Sequence, residues 1–301
     1  MDPAPRLAEL LGSLSLATDQ AAGLPAETAV RTSIVAVRLA SLSGLQGFEL
    51  ADTFFAGLLR FLGCTAYAHE VAERYAAGDD LGWLGAMTTS DSTRPLSLLR
   101  GALRGVNSEA PLGSRVAAMA RLVSQPTAGA DLATAHCELA VTLARKLGMS
   151  LGVVQALEQI YERWDGRGAP LGVRGEALRP MARVLHVAWR IAAHHAIDGP
   201  KAALFTIAER SGREFDPALT AIVARSGADL IAGLDKPSAW AEFLGSEPQP
   251  WAFVPRPRLD DIALGFAHYA DVKSPYTVGH SVRVAELARD AAAKRGLQAD
   301  A

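Results

Sequence analysis

Glu162-Arg163-Trp164-Asp165-Gly166-Arg167-Gly168-Ala169-Pro170-Leu171-Gly172 is the stretch from which the rest of the chain can be read. Its glycines permit positive φ and close packing, and Pro170 fixes φ, so it reads as a loop laid over helices. Before it, the apolar spacing predicts helices over Ala130 to Leu147 and Ser150 to Tyr161, joined at Gly148. After it, helices are predicted over Pro180 to Ala196 and Gly199 to Ser211. Phe215-Asp216-Pro217 opens another, with Asp216 as N-cap and Pro217 at the first helical position. Toward the N-terminus the pattern predicts helices at Pro5 to Ala17, Ala26 to Ser43, Phe48 to about Tyr75 with a break at Gly63, Leu96 to Arg104 and Ser114 to Leu122. Ala76 to Asp91 reads as a loop around a short helical turn. In the second helix Val30, Ile34 and Val37 share one apolar face that the small Ser41 continues. Abundant Ala and Leu, without period-two alternation, make the fold all-α.

At 301 residues and 50% hydrophobic content the chain can bury a substantial core. A net charge of -2 argues against direct nucleic-acid binding or an electrostatic footprint on anionic lipid. Cys64 and Cys137 lie far apart, each without a C-x-x-C partner, so neither a disulfide framework nor a zinc knuckle is supported. No basic n-region precedes the first apolar stretch and no apolar run is long enough to cross a bilayer, so a cytoplasmic protein without membrane contact is expected. The prolines at 248, 250, 255 and 257 mark residues 246–257 as a linker between a domain over 1–245 and a segment over 258–301. A short internal repeat spans that boundary: Thr28-Ala29-Val30-Arg31 resembles His280-Ser281-Val282-Arg283.

Read in order, Glu162 to Pro170, Arg183-Val184-Leu185 and Gly212-Arg213-Glu214-Phe215-Asp216-Pro217 resemble the latter half of an HD-GYP domain, whose signature is H-H-E-x-x-D-G-x-G-Y-P, then R-I, a ligand Asp and G-x-x-F-D-P. The resemblance implies an HD-domain-like helical bundle. Members of that family are metal-dependent phosphohydrolases that use two or three Fe, Mn or other divalent ions to hydrolyse cyclic di-GMP or related cyclic dinucleotides. The segment from Asp271 is similar to the opening of a second, truncated copy, with Lys273, His280 and Arg283 matching the family's first-helix motif, and with the first ligand at His280.

Carried over position by position, the first copy is degenerate. The opening ligand histidine falls at Thr28, the H-D pair at Arg60-Phe61, the tandem histidines at Ile160-Tyr161 and the late aspartate at Trp189, while His136 alone keeps its imidazole. One imidazole cannot assemble a metal pair, and Arg60 adds positive charge where cations would sit. The signature loop keeps Glu162, Asp165, Gly166, Gly168 and Pro170, with Ala169 in place of tyrosine. Arg163, Arg167 and Arg174 read as solvated loop charge, and His194-His195 and His69-Glu70 as exposed helical residues.

These readings predict no catalytic residue, metal or other cofactor in this chain. They favour a non-catalytic signalling or regulatory module acting through a protein partner, a homodimer or an adjacent HD-GYP domain. The enzyme alternative is a metal-dependent cyclic dinucleotide phosphodiesterase with its active site in the second copy. A further alternative is a nucleotide-binding sensor without turnover. The apolar face of Val278 to Ala293, with Val284, Leu287, Ala288 and Ala291, is expected to dock on the first domain or to form a dimer.

Overall fold

In the computed structural model, residues 4–64, 71, 73, 75–76, 78, 80–91, 93–124, 128–272 and 274–297 are described. Fourteen α-helices form among them: α1 Leu7–Ala21, α2 Thr28–Leu42, α3 Phe48–Leu59, α4 Asp80–Thr88, α5 Pro95–Gly105, α6 Leu112–Ser124, α7 Ala128–Lys146, α8 Leu151–Leu157, α9 Pro180–Asp198, α10 Pro200–Glu209, α11 Pro217–Ile231, α12 Trp240–Ser246, α13 Arg256–Asp271 and α14 His280–Lys294. No strand forms among the described residues, where isolated bridges join Arg6 to Phe253 and Ser211 to Phe215. No helix among them is long and apolar enough to cross a membrane. The fold is all-α, as the composition predicts.

Helix α2 is the centre of the bundle, packed between α3 and α9 with α1, α11 and α12 around it. It is buried on more than one face, from Val30 and Ile34 to Val35, Ala36 and Leu39. The single apolar face read from the sequence is therefore too narrow, and Ser41, assigned to it, is exposed. The hydroxyls in this buried helix bond backward along it, Thr32 Oγ1 to the Thr28 carbonyl at 2.8 Å and Ser33 Oγ to Ala29 at 3.2 Å, so burial strands no polar group. Ser33 also donates to the Phe54 carbonyl across the α2–α3 crossing, where Gly57 lets the backbones approach closely. Phe54 extends the core toward the far end of the chain by stacking on Phe243, with centroids 5.0 Å apart.

Helix α3 ends at Leu59, short of the predicted Tyr75, and residues 60–64 turn tightly. The segment read as a loop before Asp91 contains α4, whose Trp83 packs with Tyr75, Ala102 and Val106 in a small separate core. Pro217 follows its cap as predicted, the Asp216 carboxylate accepting from the Ala218 amide at 2.8 Å.

The proline-rich stretch is fastened to the bundle. Leu7 N donates to the Ala252 carbonyl at 2.7 Å and Val254 N to Pro5 at 2.9 Å, while Arg6 pairs with the buried Glu247 and lies over the Trp251 ring. Prolines rigidify the segment, and the N-terminus supplies the hydrogen-bond partners that remain. Helix α13 continues the main core through Ile262 and Tyr269. Helix α14 packs on α13 and has no buried residue, with Val284 and Leu287 about half exposed, so its expected docking on the first domain is not seen.

Candidate functional site

Six of the positions singled out in the sequence meet at the junction of α3, α7, α8 and α9. Arg60, immediately after α3, is 1% exposed. Its guanidinium carbon lies 4.0 Å from the centroid of the Trp189 ring and 5.4 Å from that of Tyr161, and Nη1 donates to the Ile160 carbonyl at 3.0 Å. His136 Nδ1 lies 3.3 Å from the Tyr161 hydroxyl, and Phe61 meets the Trp189 edge at 6.3 Å between centroids. Thr28 opens α2 with its hydroxyl turned back to the Pro25 carbonyl, while its neighbour Ala29 shares a buried cluster with Phe61, Cys64 and Trp189. Lys273, His69 and Glu70 lie outside the described residues.

Burial sets the electrostatics of this pocket. It lowers the Arg60 pKa to about 10 and that of His136 to about 4, so at neutral pH the guanidinium is charged and the imidazole is not. It pushes the Cys64 thiol up to about 11 and Cys137 up to about 12, and the Tyr161 phenol well above its ordinary value. Both cysteines are free, as expected. Among the described residues, no group of three or more His, Cys, Asp or Glu side chains is placed to hold a metal ion. A lone imidazole beside a guanidinium does not fit a divalent metal pair, and no catalytic step is derived through one here.

The signature loop next to this pocket is held by its own carboxylates. Glu162 accepts from the Leu171 and Gly172 amides at 2.6 and 3.2 Å, and Asp165 accepts from the Arg167 amide at 3.1 Å. Gly168 lies against the Glu162–Arg163 backbone so closely that a Cβ would collide with it. Arg163 is no solvated loop charge: it is 4% exposed and pairs with Asp91, Asp165 and Glu214, whereas Arg167 and Arg174 are exposed as expected. His194 is likewise buried and bonded to Asp198 at 2.8 Å, against the reading of an exposed helix end.

The fully buried Glu214 carboxylate is a hub that the sequence did not disclose. It receives Arg190 Nε at 2.7 Å, Arg210 at 2.9 Å and His186 Nε2 at 3.0 Å, with Arg163 at 3.5 Å. Burial alone would raise its pKa, but Arg190, His186 and Arg210 together hold it well below the ordinary carboxylate value. Only Arg210 lies one helical turn away in sequence, so no local pattern marks the cluster. Beside it, a small cleft is lined by Glu162, Arg183, His186, Glu214 and Asp216.

The beginning of the chain and its end repeat one device. Asp19 receives the Ala29 amide at 3.0 Å, and ten residues separate the two. Asp271 receives the Ser281 amide at 3.0 Å and its hydroxyl at 2.6 Å over the same spacing. In both places the residue before the helix is left-handed, Glu27 with φ 64° and Gly279 with φ 78°. His280 therefore opens α14 as Thr28 opens α2. Its side chain is exposed, and Arg283, one turn on, pairs with Glu286.

Comparison with known proteins agrees with the fold. Residues 127–219 match the HD domain family. The chain is 30% identical over 287 residues to 3'3'-cGAMP-specific phosphodiesterase 3 of Vibrio cholerae serotype O1, covering 93% of this chain and 61% of that protein. Its structure is similar, at a TM-score of 0.69 and 25% identity, to a crystal structure of a cyclic GMP-AMP specific phosphodiesterase of V. cholerae, covering 94% of this chain and 64% of the other. The chain thus spans less than two thirds of the length of either. It carries an HD domain on an all-α fold, and these likenesses support a place in the HD-GYP superfamily.

Two expectations are corrected by these matches. A non-catalytic regulatory module is not what the chain resembles, because nearly its whole length aligns with a cyclic dinucleotide phosphodiesterase, which favours enzymatic activity. The expected absence of a cofactor falls with it, since HD-domain phosphodiesterases are metal-dependent.

Proposed function

We propose that the chain is part of a metal-dependent cyclic dinucleotide phosphodiesterase. In this reading residues 1–245 form a first HD copy with an altered pocket, and residues 258–301 open the second, which holds the active site. The observation that carries it is the Asp271–Ser281 clamp at the root of α14, which sets His280 on the same scaffold that Asp19 and Ala29 build under Thr28. The first copy has a hydroxyl there and the second an imidazole, the side chain a divalent metal takes.

Divalent metal bound at the second copy would polarise the phosphoryl oxygens of the scissile diester. His280 would supply a ligand from this chain, and the Asp271 carboxylate holds the first turn of α14 in place through the Ser281 amide and hydroxyl. The half-exposed Val284 and Leu287 are the face on which further helices of that copy would pack. The likeness to a 3'3'-cGAMP-specific enzyme makes 3'3'-cGAMP the first substrate to examine, ahead of cyclic di-GMP.

The test is hydrolysis of 3'3'-cGAMP by the complete gene product supplied with Mn²⁺ or Fe²⁺, comparing wild type with His280→Ala and Thr28→Ala. Loss of turnover in His280→Ala with turnover kept in Thr28→Ala supports the assignment. Equal turnover in both variants, or none in the wild type, overturns it.

A further inference from the structure

Among the described residues, three side chains around the Arg60 pocket keep nitrogen atoms that no hydrogen-bond partner satisfies. Arg60 Nε and Nη2, Trp189 Nε1 and His136 Nε2 are all buried in this state, and the three residues are 1%, 6% and 8% exposed. Such groups are rare in native proteins and call for an explanation, because a buried donor without an acceptor costs its full desolvation. Arg60 is the most anomalous of them. Arg163, Arg190 and Arg210 are buried against Glu214, yet among the described residues Arg60 has no carboxylate partner. A guanidinium out of water without a counter-charge is among the most costly groups to bury.

The tautomer of His136 completes the pattern. Its Nδ1 lies 3.3 Å from the Tyr161 hydroxyl. In the tautomer where the phenol donates to Nδ1, the neutral ring keeps its own proton on Nε2 and that atom is a donor. Arg60 Nε and Nη2 and Trp189 Nε1 are donors in any case, so the group carries one net positive charge and three unsatisfied donors, which His136 Nε2 joins in that tautomer.

We propose that the first HD pocket binds a small inorganic anion of about halide size, held by Arg60, Trp189 and His136. Where the HD-GYP family gathers imidazoles and carboxylates around cations, this pocket gathers donors, and its selectivity is reversed in sign. The turn after α3 closes on α7 so tightly that a Cβ on Gly63 would collide with the His136 carbonyl, which favours an ion of that size over a larger ligand. The half-buried Tyr161 is the side from which an ion would enter. This inference does not depend on the activity assigned to the second copy.

Thermal unfolding of the full chain, with chloride or bromide exchanged for gluconate at constant ionic strength, tests it. The expected result is a rise in Tm on the order of a few degrees that saturates with halide, and that is lost in Arg60→Met, which keeps the volume and removes the charge. If that variant does not fold, a bromide-soaked crystal of the wild type decides, by an anomalous peak touching Arg60 and Trp189. An absent or non-saturating halide response with no such peak overturns the proposal. So does a saturable response to phosphate or cyclic dinucleotide alone, which would make the pocket a nucleotide site.

Discussion

The Arg60 guanidinium lies over the Trp189 indole, 4.0 Å from the ring centroid, although 129 positions (189 − 60) separate the two in sequence. Each stands at a position to which the sequence resemblance carries a metal ligand, and neither side chain can serve as one. The pair occupies the pocket with a fixed cation and an aromatic face, an arrangement stabilised by cation–π attraction in a desolvated site. In halide-free buffer, Arg60→Met should leave stability within about 1 kcal/mol of wild type, since a well-packed apolar residue can replace a buried charge at little cost. Trp189→Ala should cost about 3–5 kcal/mol, because it removes the ring and leaves the guanidinium against a void. Urea denaturation midpoints of the two variants measure the difference, and the reverse order would sink this account of the pocket.

Glu214 neutralises several buried cations at once, so its removal should be felt by all of them. Glu214→Gln is expected to destabilise the fold by roughly 3–5 kcal/mol, the cost of breaking a buried pair from one side. Glu176→Gln, which breaks a pair of Arg183 with an exposed carboxylate, should change stability by less than about 1 kcal/mol. Equal effects would mean that the hub is solvated in solution.

His136 makes a pH prediction. Burial lowers its folded-state pKa to about 4, against an ordinary value of 6.5. Between those values the unfolded chain takes up a proton that the folded chain refuses, so stability is lost as pH falls from 6.5 toward 4. At about 1.36 kcal/mol per pKa unit the loss is on the order of 3 kcal/mol. His136→Phe should flatten that limb of the profile, and an unchanged slope in the variant would assign the proton elsewhere.

The two aspartate clamps should respond differently to amide substitution. Burial raises Asp19 to a pKa of about 8, so it is largely protonated at pH 7 and Asp19→Asn should be nearly silent there. Asp271 is held below its ordinary value by the Ser281 hydroxyl and receives three hydrogen bonds as a carboxylate. Asp271→Asn should therefore speed hydrogen exchange at the Ser281 amide. Mass-spectrometric exchange of the peptides covering 28–32 and 280–284 reads both outcomes, and matched protection in the two variants would refute the distinction.

Much of the fold was legible because helices announce themselves locally. The Asp216–Pro217 start, the glycine-rich loop and most of the helices are written in capping chemistry and apolar spacing within one or two turns. The same locality explains the failures. Arg163 was read as solvated because its sequence neighbours are a glycine-rich loop, and only the arrival of Asp91 and Glu214 from distant segments buries it. Residues 246–257 were read as a linker because prolines break helices, and nothing near them shows that Pro5, Arg6 and Leu7 fasten them.

The order of residues by itself determined an all-helical chain, an HD-like signature after α8 and the likeness of the stretch at Thr28 to the stretch at His280. Tertiary structure alone decided that Arg60, His136, Tyr161 and Trp189 share one pocket, that Glu214 gathers the cations, and that Asp271 serves Ser281 as Asp19 serves Ala29. The reason is physical. Helical periodicity tells which side chains lie on one face, but which faces meet is set by packing the whole core, and the charge and burial of each group follow only from that meeting.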